Sequence, residues 1–489
     1  MINTLHSLKL NSIKESQGCI LTALADFGVR IGLLLLLVSL TLNSAWAQTS
    51  AATMAANLSL GRGINLGNAL EAPSEGEWGI RLSDEYFDLI AEAGFDSVRV
   101  PIRWSAHALK SVPYTIDSSF FERVDWVLDQ AHRTGLVVVI NMHHYEELMH
   151  SPATHKNRFL SLWNQIATRY KSEPETVLFE ILNEPQGAMN AANGGQWNNY
   201  QEEAIRTIRI TNPNRPLIVG PIQYNGIDAL SLLELPEDQN LILTVHYYDP
   251  FDFTHQGALW SDNPPPVGTI WHGAQATIGS GFQDWSWDTD VQKTRDGLVV
   301  KYRRQYAAFS LYSEYPMALT RLALTIKGRI DARVECETET GLIEAGQITA
   351  NNSDWIDVTV NMSTCGNHVQ RLHLKNLSTD TDTFSIRDAV VCSADSCEWP
   401  ITTASQVVYD KLKQGMDFAV SAGRPIFLGE FGAFERADME SRIRWTRHVQ
   451  TTAHRLGYST AYWEFASRFG IYDPSNGSWR LRLLEALLP

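Results

Sequence analysis

The chain has 489 residues, longer than one ordinary domain, so two domains are the first expectation. A hydrophobic content of 44% supplies a sizeable core, and a formal net charge of −15 excludes nucleic acid and anionic membrane surfaces as partners, because both would repel it. The chain carries 15 tryptophans, whose flat rings suit stacking on apolar faces, those of sugars included.

The first patterned stretch runs from Ile31 to Leu42, apolar except at Gly32, Ser39 and Thr41, with Arg30 ahead of it and Ala45-Trp46-Ala47 behind. This is the pattern of an export signal cleaved after Ala47, a retained N-terminal anchor being the alternative. The apolar core is too short for a comfortable transmembrane helix. Cys19 precedes that core and so does not read as a lipid attachment site. Residues 1–47 are therefore expected to be a signal peptide and the mature chain to be secreted, extracellular or periplasmic, with no membrane attachment after processing.

From residue 60 short apolar runs alternate with amphipathic stretches of helix length, the rhythm of a parallel sheet. Strands are expected at 63–66, 97–100, 137–141, 178–182, 217–219, 241–245, 426–428 and 460–463, enough to close a barrel. Helices are expected at 84–93, 120–134, 156–170, 197–211, 405–422 and 438–456. Gly94 and Gly135 stand where helix C-caps are needed before the next strand.

The rhythm breaks near residue 290. From Leu324 to Cys336 the even positions are apolar or small and the odd ones polar, a strict period of two; it returns at Ile356, Val358, Val360 and Met362 and at Phe384 and Ile386. The expected fold is thus a (β/α)8 TIM barrel with a jelly-roll-like β-sandwich inserted in the loop after strand six. The barrel takes residues 48–290 and 405–489, the guest 291–404. Cys336, Cys365, Cys392 and Cys397 all fall in the guest, and in an exported chain an even cluster suggests two disulfides. Of the three connectivities, Cys336–Cys365 with Cys392–Cys397 is favoured. Zinc is the alternative, although no Cys-x-x-Cys pair is present.

Chemistry concentrates at strand ends. The apolar run Val177 to Leu182 stops in Asn183-Glu184-Pro185, and the run from Ile426 stops in Gly429-Glu430-Phe431-Gly432. Polar groups at the C-terminal ends of barrel strands are where catalysis sits. Two carboxyl groups there form the equipment for breaking a glycosidic bond, whereas a single glutamate is as readily a rim salt bridge. Arg99 ends the second strand and, if buried, needs a carboxylate. His143 and His144 follow the third strand, pointing opposite ways, so at most one faces the barrel axis. His246 and Tyr248 end the sixth on one side, and Trp463 ends the eighth. No third ligand at metal-site spacing accompanies the histidines, so neither a metal nor a cofactor is expected.

Arg99, His143, Asn183-Glu184-Pro185, His246-Tyr247-Tyr248, Glu430 and Trp463 stand in the order and contexts of glycoside hydrolase family 5, and the chain resembles that family over about residues 60–275 and 405–489. The stretches Arg62-Gly63-Ile64-Asn65-Leu66-Gly67-Asn68-Ala69-Leu70-Glu71 and Pro250 to Ala258 resemble its bacterial endoglucanases in particular. The resemblance implies Glu184 as acid/base and Glu430 as nucleophile. It implies Asn183 on the sugar 2-hydroxyl, Arg99 and Tyr248 holding Glu430, and His143 and His246 in support. Asn68, Glu71, His144, His255, Trp260 and Trp463 would line the sugar subsites. The activity implied is retaining cleavage of internal β-1,4-glucosidic bonds, with β-glucan or a related plant polysaccharide as partner; the chain is expected to act as a monomer. A β-1,4-mannanase or mixed glucan, mannan and xyloglucan specificity is the rival within enzymes, a non-catalytic carbohydrate-binding barrel the rival outside them. The insertion departs from the family pattern. Its strands and Asp354-Trp355-Ile356-Asp357-Val358 resemble a carbohydrate-binding module, against which stands a scaffold or cleft-wall role.

Overall fold

The computed structural model describes residues 49–488 apart from positions 262, 274–275, 280, 295–296 and 395. The expected signal peptide, with Cys19, lies outside the described residues. Six parallel strands come first: β1 (Arg62–Asn65), β2 (Ser97–Val100), β3 (Val137–Asn141), β4 (Val177–Glu180), β5 (Leu217–Val219) and β6 (Leu241–Tyr247). Ten antiparallel strands follow: β7 (Ala276–Ile278), β8 (Phe282–Asp284), β9 (Thr289–Thr294), β10 (Gly297–Tyr302), β11 (Ala308–Met317), β12 (Arg321–Thr338), β13 (Gly341–Asn361), β14 (Val369–Asn376), β15 (Thr383–Cys392) and β16 (Cys397–Thr403). The chain then returns as β17 (Ile426–Phe431) and β18 (Ser459–Tyr462), which close the first six into an eight-stranded barrel.

The expected barrel is present strand for strand. The helices Asp84–Ala93 and Ser118–Thr134 end at Gly94 and Gly135, with φ of 97° and 76°, the left-handed caps that an L side chain would strain. Among the described residues no helix is long and apolar enough to cross a membrane.

Inside the barrel, the period of two along each strand decides where chemistry can occur. The lower inward layer is apolar: Val137, Val139, Leu178, Ile218, Ile242, Phe427 and Ala461 pack together, plugged from below by Leu60 of the helix Ala51–Leu60. One inward step further up, about 6.6 Å along each strand, the same face turns polar. Leu178 gives way to Glu180, Val139 to Asn141, and Ile242 to Thr244 and then His246, all buried. A dry floor under a ring of polar side chains makes electrostatic interactions above it strong.

The insertion packs around its own core, with Leu298, Phe309, Leu324, Val334, Leu374 and Ile386 among its buried members. Leu322, Leu324, Ile326, Ile330, Ala332, Val334 and Cys336 are buried, as the alternation requires. Its first strand, at Ala276, precedes the expected start at 291, because β7 and β8 are too short to show a period. Its ten strands form one hydrogen-bonded network. The long β12/β13 hairpin runs through it, and β12 pairs with β15 along its first half and with β14 along its second. The fork lies just beyond Gly328, at φ 109°, where an added Cβ would meet the Thr383 carbonyl at 2.7 Å. Cys336–Cys365 and Cys392–Cys397 are both formed, the second closing the turn between β15 and β16.

Candidate active site

The polar ring is organised by one cation. Arg99 on β2 is fully buried and spends its guanidinium on four partners. Its Nε and Nη2 donate to the two oxygens of Glu180 at 2.6 and 2.8 Å. Its Nη1 donates to Glu430 Oε1 at 2.7 Å and to Asn65 Oδ1 at 2.8 Å, and Nη2 also reaches Asn183 Oδ1 at 2.7 Å. The two carboxylates hold the Arg99 proton more tightly than in water, overcoming burial. The other oxygen of Glu430 accepts from the Tyr248 hydroxyl at 2.9 Å. Burial raises the Glu430 carboxyl above the ordinary carboxylate range, while His246, Arg99 and the Tyr248 hydroxyl pull the other way.

A glycine sets the reach of Glu430. The register between β17 and β6 shifts between Leu428 and Glu430, a bulge that brings Glu430 level with His246. A Cβ on Gly429 would lie 2.7 Å from Thr244 Oγ1 and 3.3 Å from His246 Nε2, so only glycine fits. Asn65 Nδ2 donates to the Gly429 carbonyl at 3.0 Å and ties the bulge to β1.

Glu184 lies beyond the end of β4, which stops at Glu180. The chain is anchored by the Asn183 N–H on the Met142 carbonyl at 2.9 Å, and Glu184 is then held at φ 49°, a strained backbone for a non-glycine residue. That turn brings its carboxyl over the ring. His246 Nδ1 lies 2.8 Å from Glu184 Oε1 and 3.7 Å from Glu430 Oε2, and single oxygens of the two glutamates lie within 4.8 Å of each other. Burial raises the Glu184 carboxyl to about 7, against the pull of Arg99 and with a push from Glu180. Burial lowers the His246 imidazole to about 4, so at neutral pH it is uncharged. These three groups are also the one set of donor atoms spaced to hold a metal ion among the described residues; here His246 Nδ1 bonds Glu184.

The rim is aromatic. Trp463 is half-buried and parallel to the His143 ring, centroids 5.9 Å apart, and Asn141 Nδ2 donates to His143 Nδ1 at 3.0 Å. His143 is therefore buried beneath the Trp463 ring. His144, at φ 50°, packs edge-on against Trp78 at 5.6 Å. His255 stacks on Phe251 at 4.3 Å and stands edge-on to Tyr248 at 4.9 Å. Trp260, 56% exposed, packs edge-on to Phe434 at 4.6 Å. Asn68 is part-buried at φ 63°.

Glu71 departs from the expectation of a sugar contact. It is buried and accepts from the backbone N–H groups of Asn68 and, at 2.9 Å, of Ala69. Its carboxyl is spent on shaping the loop that carries Asn68. Glu180 and Asn65 were not singled out from sequence, yet both hold Arg99. The available signal was the period of two: Glu180 faces inward with Leu178, and Asn65 with Gly63. Trp78 came to the rim, and Phe434 and Phe469 to a buried position against Trp260, from segments with no motif of their own.

A closed parallel barrel whose strand ends bring together two carboxyl groups, one raised by burial and one clamped by Arg and Tyr, defines a barrel hydrolase of the glycosidase type. Comparison with known proteins agrees. The sequence profile of Cellulase (glycosyl hydrolase family 5) matches residues 62–297. Endoglucanase H of Acetivibrio thermocellus is 41% identical over 197 residues, covering 40% of this chain and 22% of that protein. Endoglucanase B of Ruminococcus albus is 32% identical over 237 residues, 43% of this chain and 56% of that one. The chain thus spans less than two thirds of the length of these curated relatives. The crystal structure of Thermotoga maritima Cel5A in complex with cellobiose superposes with a TM-score of 0.61 at 35% identity, covering 89% of this chain and 99% of that one. The chain belongs to glycosyl hydrolase family 5.

Proposed function

We propose that this protein is a secreted endo-β-1,4-glucanase that cleaves internal bonds of cellulose-like or mixed-linkage β-glucans with retention. The observation that carries the reading is the approach of Glu184 to Glu430, within 4.8 Å oxygen to oxygen. That matches the roughly 5–5.5 Å between carboxyl groups suited to double displacement, and leaves no room for the water that inversion places between them. Glu430, clamped by Arg99 and Tyr248, attacks the anomeric carbon. Glu184, carrying a proton up to about pH 7, gives it to the departing oxygen as the glycosidic bond breaks. In the second step Glu184 takes a proton from water, which displaces Glu430 from the sugar. Asn183, its Oδ1 held by Arg99, offers its amide N–H to the 2-hydroxyl. Trp463 supplies an apolar floor, and Asn68, His144, His255 and Trp260 line the flanking subsites.

Two disulfides and the N-terminal apolar pattern support export. We read the chain as a leader to residue 47, a catalytic barrel in two segments and a guest sheet between them, acting as a monomer. The test is separate Glu184→Gln and Glu430→Gln variants assayed on β-glucan, with the first-formed product read by NMR. Retention gives the β-anomer first. Near-normal turnover by either variant, or an α-product, would end this reading.

A second reading, activity on mannan as well as glucan, is favoured by a relative. Thermotoga maritima Cel5A, 35% identical over 99% of its chain, has also been crystallised in complex with mannotriose. Parallel rates on carboxymethylcellulose, mixed-linkage glucan, xyloglucan and glucomannan separate the two.

A further inference from the structure

The inserted sheet presents a second aromatic surface, built without any residue of the catalytic cleft. Trp285 and Trp287 are two positions apart on the extended edge beside β11. The Trp285 N–H bonds the Ser310 carbonyl at 2.9 Å, and Trp287 exchanges N–H and carbonyl with Ala308 at 3.1 Å each way. Both rings therefore rise on the same face, about 6.6 Å apart along the strand. They are 46% and 39% exposed.

Neither ring is loose. Trp285 lies parallel to Tyr312, centroids 4.6 Å apart, with the Arg371 guanidinium 4.4 Å from its centre. Arg371 is also 5.8 Å from the Tyr312 ring, too close for the two to sit on opposite faces of Trp285. Tyr312 and Arg371 thus support one face of Trp285 and leave the other turned to solvent. Its indole N–H donates to Gln283 at 3.2 Å. Trp287 is fixed by its indole N–H on the Tyr306 carbonyl at 3.1 Å and by the edge of His373 at 5.2 Å. Rings locked before a ligand arrives lose little entropy on binding it.

The cations on this face are paired with carboxylates. Arg371 pairs with Glu337 at 3.0 Å, Arg333 with Glu335 at 2.7 Å, and Lys375 with Glu335 at 3.5 Å. A surface with its cations so paired suits an uncharged partner. Flat free ring faces edged by the donors and acceptors of Gln283, His373 and Glu337 suit a molecule with apolar faces and polar edges. A neutral pyranose chain has both properties. Nucleic acid, with the same flat units, is repelled by the chain's net charge of −15. The tryptophan flagged in the sequence, Trp355, is not part of this surface: it lies on β13 with the Arg387 guanidinium 4.8 Å over its ring.

We propose that Trp285 and Trp287, backed by Tyr312 and Arg371, form a non-catalytic binding site for a single chain of neutral β-glucan, which holds polymer to the enzyme outside the cleft. The ligand class rests on the glucanase reading above; the site itself does not need catalysis. The experiment uses the whole chain carrying Glu430→Gln, so that polymer is bound and not consumed. Retardation is measured in native gels containing mixed-linkage glucan, together with pull-down on insoluble cellulose. Adding Trp285→Ala and Trp287→Ala is expected to weaken retention at least roughly tenfold, and Trp285→Tyr with Trp287→Tyr to restore most of it. In the active enzyme the alanine pair should slow hydrolysis of polymer while leaving turnover of a short soluble aryl cello-oligosaccharide unchanged. Retention equal to that of the Glu430→Gln parent, or no retention of that parent at all, overturns the proposal. Failure of the active enzyme to cut any β-glucan would strike the catalytic reading instead, and is scored separately from binding.

Discussion

Arg99 and Glu180 form a two-point ion pair inside the barrel, Nε to Oε2 at 2.6 Å and Nη2 to Oε1 at 2.8 Å, with neither side chain appreciably exposed. The pair aims the remaining guanidinium nitrogen, Nη1, at Glu430. Removing one partner of a buried pair leaves an uncompensated charge, a cost of about 3–5 kcal/mol. Glu180→Ala should therefore lower stability by that order in denaturant titration. Glu180→Gln, which keeps the shape, should cost less but still reduce kcat. A Glu180→Ala protein as stable as its parent would mean that the pair is not needed to hold Arg99.

The proposed double displacement predicts a bell-shaped pH profile. Glu184 must carry its proton, so kcat/KM should fall as pH rises through about 7. Glu430 must be ionised, and burial raises its carboxyl, so activity should fall on the acid side above the ordinary carboxylate range. Glu180 pushes the Glu184 proton up; Glu180→Gln should move the basic limb to lower pH. The pH dependence of kcat/KM on one soluble substrate checks both limbs.

Gly429→Ala tests the bulge. A methyl 2.7 Å from Thr244 Oγ1 and 3.3 Å from His246 Nε2 must push β17 away from β6. Displacing a reacting group by about an ångström can cost on the order of a hundredfold. That loss should appear in kcat on polysaccharide, with far-UV circular dichroism unchanged.

Glu71 should behave as a structural carboxyl and not as a sugar ligand. Burial raises it from 4.5 to about 8, so the folded chain keeps a proton that the unfolded chain releases above about pH 4.5. Its contribution to stability is complete below the unfolded value and is lost as pH rises towards about 8. The melting temperature followed from acid to alkaline pH should fall less steeply in Glu71→Gln than in the parent, and KM for β-glucan should stay within about twofold. A KM raised tenfold or more at unchanged Tm slope would restore Glu71 to the subsite.

The two disulfides close loops of unequal length, with separations of 29 and 5 residues. Loop-closure entropy assigns roughly 3–4 kcal/mol to the longer and about 2 kcal/mol to the shorter. Calorimetry of Cys336→Ser with Cys365→Ser should show a larger loss than Cys392→Ser with Cys397→Ser. Both losses should fall on the inserted sheet, with activity on short soluble substrates preserved.

The barrel was legible in the sequence because buried parallel strands are written as apolar runs that end abruptly. Glu184 and Glu430 stood out because each ended such a run, and Arg99 because a buried guanidinium requires a carboxylate. Which carboxylate it takes was not legible. Glu180 reads as one more member of a strand, and only the closure of β2 against β3 and β4 brings it across to Arg99. The backbone contacts of Glu71 were not legible for the same cause, since a carboxyl can meet a sugar or a backbone N–H and the two are written alike. In the insertion, the alternation on β12 showed which side was buried, but the fork beyond Gly328 depends on pairing with β14 and β15, which no local pattern records.

By itself the sequence determined the eight strands, their order, the insertion between the sixth and seventh, and which strand ends carry polar groups, because burial on two faces or on one leaves a period in the chain. Tertiary structure decided the distances. The gap between Glu184 and Glu430, the sharing of Arg99, the raised proton on Glu184 and the outward face of Trp285 all arise between segments remote in sequence. Their energies depend on separation and on excluded water, and neither is encoded in any one stretch of the chain.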